Sequence, residues 1–235
     1  EDFGKSVEVC VEGLNEVLEE GLNLHPLQEQ IEQVTKWRQI GLGLMGIADM
    51  LIQMGITSGS EESIELSEQI SFFMMDRAIA ASAKLAQQLG AFPMCETEQI
   101  MKSPFFLQNT TEETRKLVEE FGLRNSQLLT IAPTGTLSTM LGISGGIEPI
   151  YANYYERTTQ SLHGRDVTYR VYTKIVEEYM KLHNLSEVDE LPDYFVTAME
   201  LDYHSRLKMQ ATWQKHIDAS ISSTVNVPNE FSVEQ

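Results

Sequence analysis

With 235 residues, 42% of them hydrophobic and 22% charged, the chain has the composition of a globular protein and is long enough for one large or two small apolar cores. Its 17 Lys and Arg stand against 35 Asp and Glu, and the net charge of -18 repels a polyanion over most of the surface; this excludes a broad nucleic-acid-binding face but leaves room for a small anion in a local pocket of donors. No apolar run is long enough to span a bilayer, and residues 1–4 lack the basic and apolar regions of a signal peptide, so a cytoplasmic setting without a membrane partner is expected.

Val7, Val9, Val11, Leu14, Val17 and Leu18 recur at helical spacing and predict an amphipathic helix over 5–20, ended by Gly21 and Pro26. A second apolar helix is expected over 43–53, stopping at Gly55. Ser58 with Glu61 reads as a capping box for a long helix whose stripe, from Leu66 and Ile70 through Met74, Ala78, Ala81 and Leu85 to Leu89, is read as core and stops at Gly90 and Pro93. Residues 111–121 predict a short charged helix, and 127–132 the first clear strand. Another helix is expected over 166–182, with Val171, Ile175, Val176, Tyr179 and Leu182 on one face, then an exposed acidic loop over 184–192. A helix over 204–215 and a strand over 220–227, halted by Pro228, complete the chain. No repeat or composition shift marks a boundary, so residues 1–235 are expected to form a single segment.

Cys10 and Cys95 lie far apart, in no paired-ligand or redox spacing, and are read as structural. His25, His163, His183, His204 and His216 form no H-x-x-x-H pair, so no metal site is expected, and His216 and Asp218 are too close in sequence to share a helix face. The run Gly41-Leu42-Gly43-Leu44-Met45-Gly46 satisfies the G-x-G-x-x-G pattern for a nicotinamide dinucleotide, but that fingerprint needs a buried strand before it, and residues 33–40 are largely polar. Close packing of a helix through small residues explains these glycines equally well.

The most informative stretch is Leu128-Leu129-Thr130-Ile131-Ala132-Pro133-Thr134-Gly135-Thr136-Leu137-Ser138, where an apolar run ends in a hydroxyl-rich turn that opens a helix. Backbone N–H groups in a first helical turn lack partners and carry partial positive charge, so such a turn can hold phosphate; an ordinary Thr-capped connection is the alternative. A second glycine turn, Gly142-Ile143-Ser144-Gly145-Gly146-Ile147-Glu148-Pro149, follows. Its Glu148 is either a catalytic carboxylate or a brace for the loop.

Residues 38–51, Arg38-Gln39-Ile40-Gly41-Leu42-Gly43-Leu44-Met45-Gly46-Ile47-Ala48-Asp49-Met50-Leu51, resemble a signature of the large, catalytic chain of ribonucleotide reductases. Two further resemblances follow in the same order: residues 124–136 with Gly145-Gly146-Ile147-Glu148-Pro149 are similar to the family's substrate-phosphate loop, and residues 204–228, with Gln210, Gln214, Asp218, Ser220, Ser222, Thr224, Asn226 and Pro228, to a late helix and barrel strand. The Pro-Thr-Gly-Thr form looks closest to the adenosylcobalamin-dependent branch. The resemblance implies an α/β fold: a mostly helical piece, with few strands, of the second half of a ten-stranded α/β barrel. It also implies reduction of ribonucleotides, expected to be diphosphates, to 2′-deoxyribonucleotides by a cysteine thiyl radical.

The same resemblance assigns substrate-phosphate binding to Pro133, Thr134, Gly135, Thr136, Leu137 and Ser138, with the Thr136 and Ser138 hydroxyls and the N–H groups of residues 135–138 as donors, and turns Gly41, Gly43 and Gly46 into packing glycines of a barrel-associated helix. Neither Cys10 nor Cys95 matches the family's radical or redox cysteines, so no catalytic residue is expected in this chain. Adenosylcobalamin, or a radical from a metal-containing partner subunit, is implied for the parent enzyme, with none bound by this chain alone. The expected partners are the ribonucleotide, the remainder of the reductase polypeptide and, through exposed barrel edges, a second copy of the chain. Starting without Met, the chain reads as a piece that is inactive alone. An NAD-dependent dehydrogenase and a non-catalytic helical interaction module are the competing readings.

Overall fold

The structure, a computed structural model, describes residues 1–159, 167–186 and 188–232. In chain order it forms helices α1 (Asp2–Leu22), α2 (Gln28–Trp37), α3 (Ile47–Gln53), α4 (Glu61–Leu89), α5 (Thr97–Ile100), α6 (Pro104–Gln108), α7 (Glu112–Phe121) and α8 (Gly135–Leu141), strands β1 (Tyr154–Thr159) and β2 (Val167–Tyr172), and helices α9 (Lys174–His183) and α10 (Tyr203–Gln214). Among the described residues no helix is long and apolar enough to cross a membrane. The chain divides into two compact units: Glu1–Gly43 with Glu65–Ala132 and Ala211–Ile221, and Leu44–Ile64 with Pro133–Gln210 and the segment from Ser222 on. Each is assembled from three separate stretches.

In the first unit, Val7 and Val11 of α1 are buried while Val9 and Val17 face solvent, a narrower stripe than the sequence suggests. Along α4 the buried apolar positions include Met74, Met75, Ala78, Ile79, Ala81, Ala83 and Leu85, whereas Leu89 is exposed. The helix is capped by Ser60, whose Oγ accepts the Ser63 N–H at 3.2 Å, rather than by Ser58, because Gly59 at φ 84° turns the chain between the two serines. Thr111 caps α7 by accepting the Thr114 N–H at 3.3 Å. The sequence pattern missed α2, which buries no residue, and α5 and α6, which are too short to show a period.

Residues 127–132 are extended as expected. They carry single parallel bridges on both sides, Leu42 to Leu129 and Ile131 to Ile221, giving the order 40–42, 128–131, 219–221. The ladder is sparse because both oxygens of Asp218 accept the amides of Leu128 and Leu129, at 2.8 and 2.7 Å. The expected strand over 220–227 pairs only at Ile221 among the described residues. The expected helix over 43–53 starts only at Ile47; Gly41 and Gly43 precede it in extended chain, so they are not helix-packing glycines. A Cβ on Gly43 would lie 2.5 Å from the Thr130 carbonyl oxygen, so close approach of two extended segments is what demands glycine there.

In the second unit, the expected helix over 166–182 is a strand followed by a helix: β2 pairs antiparallel with β1, from Tyr154 opposite Tyr172 to Thr159 opposite Val167, and α9 begins only at Lys174. Tyr169 and Val171 fall on one side of β2, and such β-branched and aromatic residues favour a strand; the helical period misled because Val171 falls in phase with Ile175. Asp166 lies outside the described residues, and Leu182 is exposed. Ala48 and Ile52 of α3 join Ile150, Ile175, Val176, Met180 and Phe195 in a buried cluster, and Leu185 and Leu191 of the expected exposed loop pack against it. That cluster seats α3 beneath the site.

Candidate functional site

The chain leaves its extended run at Ala132 and enters α8 through Thr134, which has φ 52°. A left-handed β-branched residue is strained by about 1–3 kcal/mol. Pro133, Gly135, Thr136 and Leu137 are exposed, and in this first helical turn the amides of Gly135, Thr136 and Leu137 donate to no protein acceptor among the described residues. Ser138 is different. It is buried, its amide donates to the Thr134 carbonyl at 2.8 Å and its hydroxyl to the Gly135 carbonyl at 3.2 Å, so two of the donors expected from sequence are consumed inside the loop. Gly142, at φ 70°, ends α8 and donates its amide to Thr139 O at 3.2 Å.

Residues 142–149 back this loop. The Gly146 amide donates to Thr134 Oγ1 at 3.2 Å, which holds the strained residue in place. A Cβ on Gly145 would stand 3.1 Å from the Pro133 carbonyl oxygen and 3.4 Å from Ser138 Oγ, so the turn can lie against the loop only because it lacks a side chain there. One end of the turn is tied to α3: the Ser144 amide donates to the buried Asp49 carboxylate at 2.6 Å, and the Gly46 amide donates to Ser144 O at 2.9 Å. At the other end Glu148 Oε1 accepts the Thr224 amide at 2.7 Å and Arg206 Nη2 at 3.4 Å.

Glu148 therefore braces the loop. Burial pulls the Arg206 guanidinium below its usual value, with Glu148 opposing the shift. Glu148, Pro149, Tyr203, Arg206, Thr224 and Asn226 are among the residues lining a cavity of about 270 Å³.

Of the residues singled out from sequence, the structure brings Pro133, Thr134 and Ser138 against 144–148 and leaves Gly135, Thr136 and Leu137 exposed. Asp49 lies inside the first resembling segment without having been singled out, Thr224 was named for the resemblance of 204–228 but given no role, and Arg206 was missed because a lone helical arginine reads as a solvated side chain. Gly46 caps α3 at φ 82°, yet its amide is taken by Ser144 O and Asp49 carries a carboxylate in the first turn; no strand ends at Ile40, since α2 runs to Trp37 and Arg38 follows at φ 49°, so the dinucleotide reading of Gly41, Gly43 and Gly46 fails. Cys10 is exposed and Cys95 half-buried, both as free thiols; His163 lies outside the described residues. Among the described residues, no group of three His, Cys, Asp or Glu could hold a metal ion.

Comparison with known proteins supplies the family. Residues 1–235 match the family described as "Ribonucleotide reductase, barrel domain". The chain is 34% identical, over 88% of its length and 27% of the relative's, to a "Vitamin B12-dependent ribonucleoside-diphosphate reductase" of Thermoplasma acidophilum. It is 30% identical, over 96% of its length and 32% of the relative's, to a protein of the same description from Mycobacterium tuberculosis. To a "Ribonucleoside-diphosphate reductase subunit alpha" of Chlamydia muridarum it is 28% identical, over 93% of its length and 24% of the relative's. The chain thus spans about a quarter to a third of the length of the curated relatives it matches. The mostly helical fold, with parallel bridges flanking residues 128–131, suits part of such a barrel, and the chain belongs to the ribonucleotide reductase barrel-domain family.

Proposed function

We propose that this chain works as part of a ribonucleoside-diphosphate reductase, the activity that replaces the ribose 2′-hydroxyl with hydrogen, and that residues 133–138 hold the substrate's phosphates. The observation that carries the reading is the run of exposed, unpartnered first-turn amides at Gly135, Thr136 and Leu137, with the Thr136 hydroxyl beside them, in a segment matched by the family. Three aligned N–H dipoles and a hydroxyl offer an anion charge-assisted hydrogen bonds without a lysine or arginine, which suits a chain of net charge -18. Ser138 serves from inside, closing the helical turn through its amide and hydroxyl rather than touching the ligand.

Cys10 and Cys95 are assigned no part in the radical chemistry; the thiyl-forming cysteine and the reducing pair are supplied by other polypeptide of the enzyme, which is the chain's main partner. The B12 dependence in the names of two relatives supports a cobalamin-dependent parent enzyme. No cobalamin contact is assigned to residues of this chain.

Thr136→Val tests the loop. It removes one donor and keeps the shape, so affinity for a ribonucleoside diphosphate is expected to fall by about 1–3 kcal/mol, read by calorimetric titration with CDP. Unchanged affinity would remove the loop from the site.

A further inference from the structure

We propose that Asp49 is a positioning residue for the phosphate loop, acting through Ser144 rather than by touching the ligand. The proposal rests on the reading of residues 133–138 as that loop. Asp49 is buried on the first turn of α3, and α3 is fixed by Ala48 and Ile52 in the apolar cluster of the second unit. Its Oδ2 accepts the Ser144 amide at 2.6 Å, a short charge-assisted bond, while the Gly46 amide holds the Ser144 carbonyl at 2.9 Å. Ser144 is thus gripped on both sides of its backbone by one helix end.

Two residues on, the Gly146 amide reaches Thr134 Oγ1, and between them Gly145 lies against Pro133 O. A continuous path therefore runs from the Asp49 carboxylate through the turn to the strained residue that aims the amides of 135–137. Glu148, anchored by Thr224 and Arg206, fixes the far end of the same turn. Residues from all three resembling segments thus meet on the five-residue turn 144–148: Gly46 and Asp49 from the first, residues 134 and 145–148 from the second, Arg206 and Thr224 from the third. In this arrangement Asp49 makes the unpartnered amides converge before ligand arrives.

The test compares Asp49→Ala and Asp49→Asn in the full chain, titrated with CDP and followed by amide hydrogen exchange. Asp49→Ala is expected to weaken CDP binding by about tenfold and to speed exchange at Ser144 and Gly146. Asp49→Asn, whose side-chain oxygen still accepts the Ser144 N–H, is expected to stay within about threefold of the parent. If Asp49→Ala does not fold, Asp49→Glu, which keeps the charge but moves the carboxylate off Ser144, carries the same expectation as the alanine. A residue that only stabilised the fold would lower the denaturation midpoint and leave the CDP constant of the folded protein unchanged, and that result overturns the proposal. If Thr136→Val weakens CDP while Asp49→Ala does not, positioning falls and the phosphate loop stands. If neither variant changes CDP binding, or the parent chain binds none, the loop reading falls and positioning with it.

Discussion

The two glycine-rich stretches of the chain, 41–46 and 142–146, use the same residue for opposite ends. In the first, the missing side chains of Gly41 and Gly43 let an extended segment close onto Thr130, and the glycines are spent on packing backbone against backbone. In the second, Gly145 backs the loop at Pro133 while Gly142 and Gly146 take positive φ, and the result is a largely buried turn whose own amides are mostly bonded and which supports the exposed residues 135–137. The stretch with the G-x-G-x-x-G spacing is structural, and the one without a named spacing backs the candidate site. What separates them is access to the first helical turn that follows. At 46 the capping amide goes to Ser144 O and residues 47–49 are buried, whereas residues 135–137 are exposed.

Substitutions break or sharpen that contrast. Gly43→Ala drives a methyl group into the Thr130 carbonyl, so a loss of about 3 kcal/mol in unfolding free energy is expected by denaturant titration. Stability within error of the parent would show that the segment can move aside. Gly145→Ala meets Pro133 O at the less severe 3.1 Å, and the expected outcome is a loss of about 1 kcal/mol of stability with about fivefold weaker CDP binding. Equal effects on stability at both glycines would erase the distinction drawn here.

Thr134→Gly relieves the positive-φ strain but deletes the oxygen that holds Gly146, so the unfolding free energy is expected to change by less than about 1 kcal/mol in denaturant titration while CDP affinity drops. The smallest effect concerns pH in the first unit. Partial burial pushes the Glu68 carboxyl up, but Lys215 and His216 outweigh it and hold the group below its ordinary 4.5. A carboxyl depressed in the folded state adds stability that is complete above its unfolded value and is lost as pH falls through the folded one. Glu68→Gln is therefore expected to flatten the acid limb of the stability curve below about pH 4.5, measured by thermal denaturation across pH. An unaltered acid limb would leave the pair without energetic weight.

Much of this was legible in the amino-acid order where one period dominates. The long stripe of α4 and the charged helix α7, with its Thr111 cap, declare themselves because buried apolar residues repeat at the helical spacing between clear stops. The loop at 133–138 was legible from its hydroxyls and glycine after an apolar run. The β1–β2 ribbon was not, because Val171 continues the spacing of Ile175 and Val176, and a strand that ends where a helix begins shows a blend of both periods. Nor were Asp49 and Arg206 legible as site residues. Each acts through a partner far away in the chain, Ser144 for one and Glu148 for the other, and such pairings have no local pattern.

Asp218 also bears on the short parallel strands. By accepting two consecutive amides, of Leu128 and Leu129, with its two oxygens, a single side chain stands in for a neighbouring strand's carbonyls and acts as a ruler for alignment. Sliding the 219–221 stretch by one residue would strand an N–H and turn Ile221 to the opposite face, so this carboxylate locks the offset between segments whose sparse backbone pairing would otherwise let them slip.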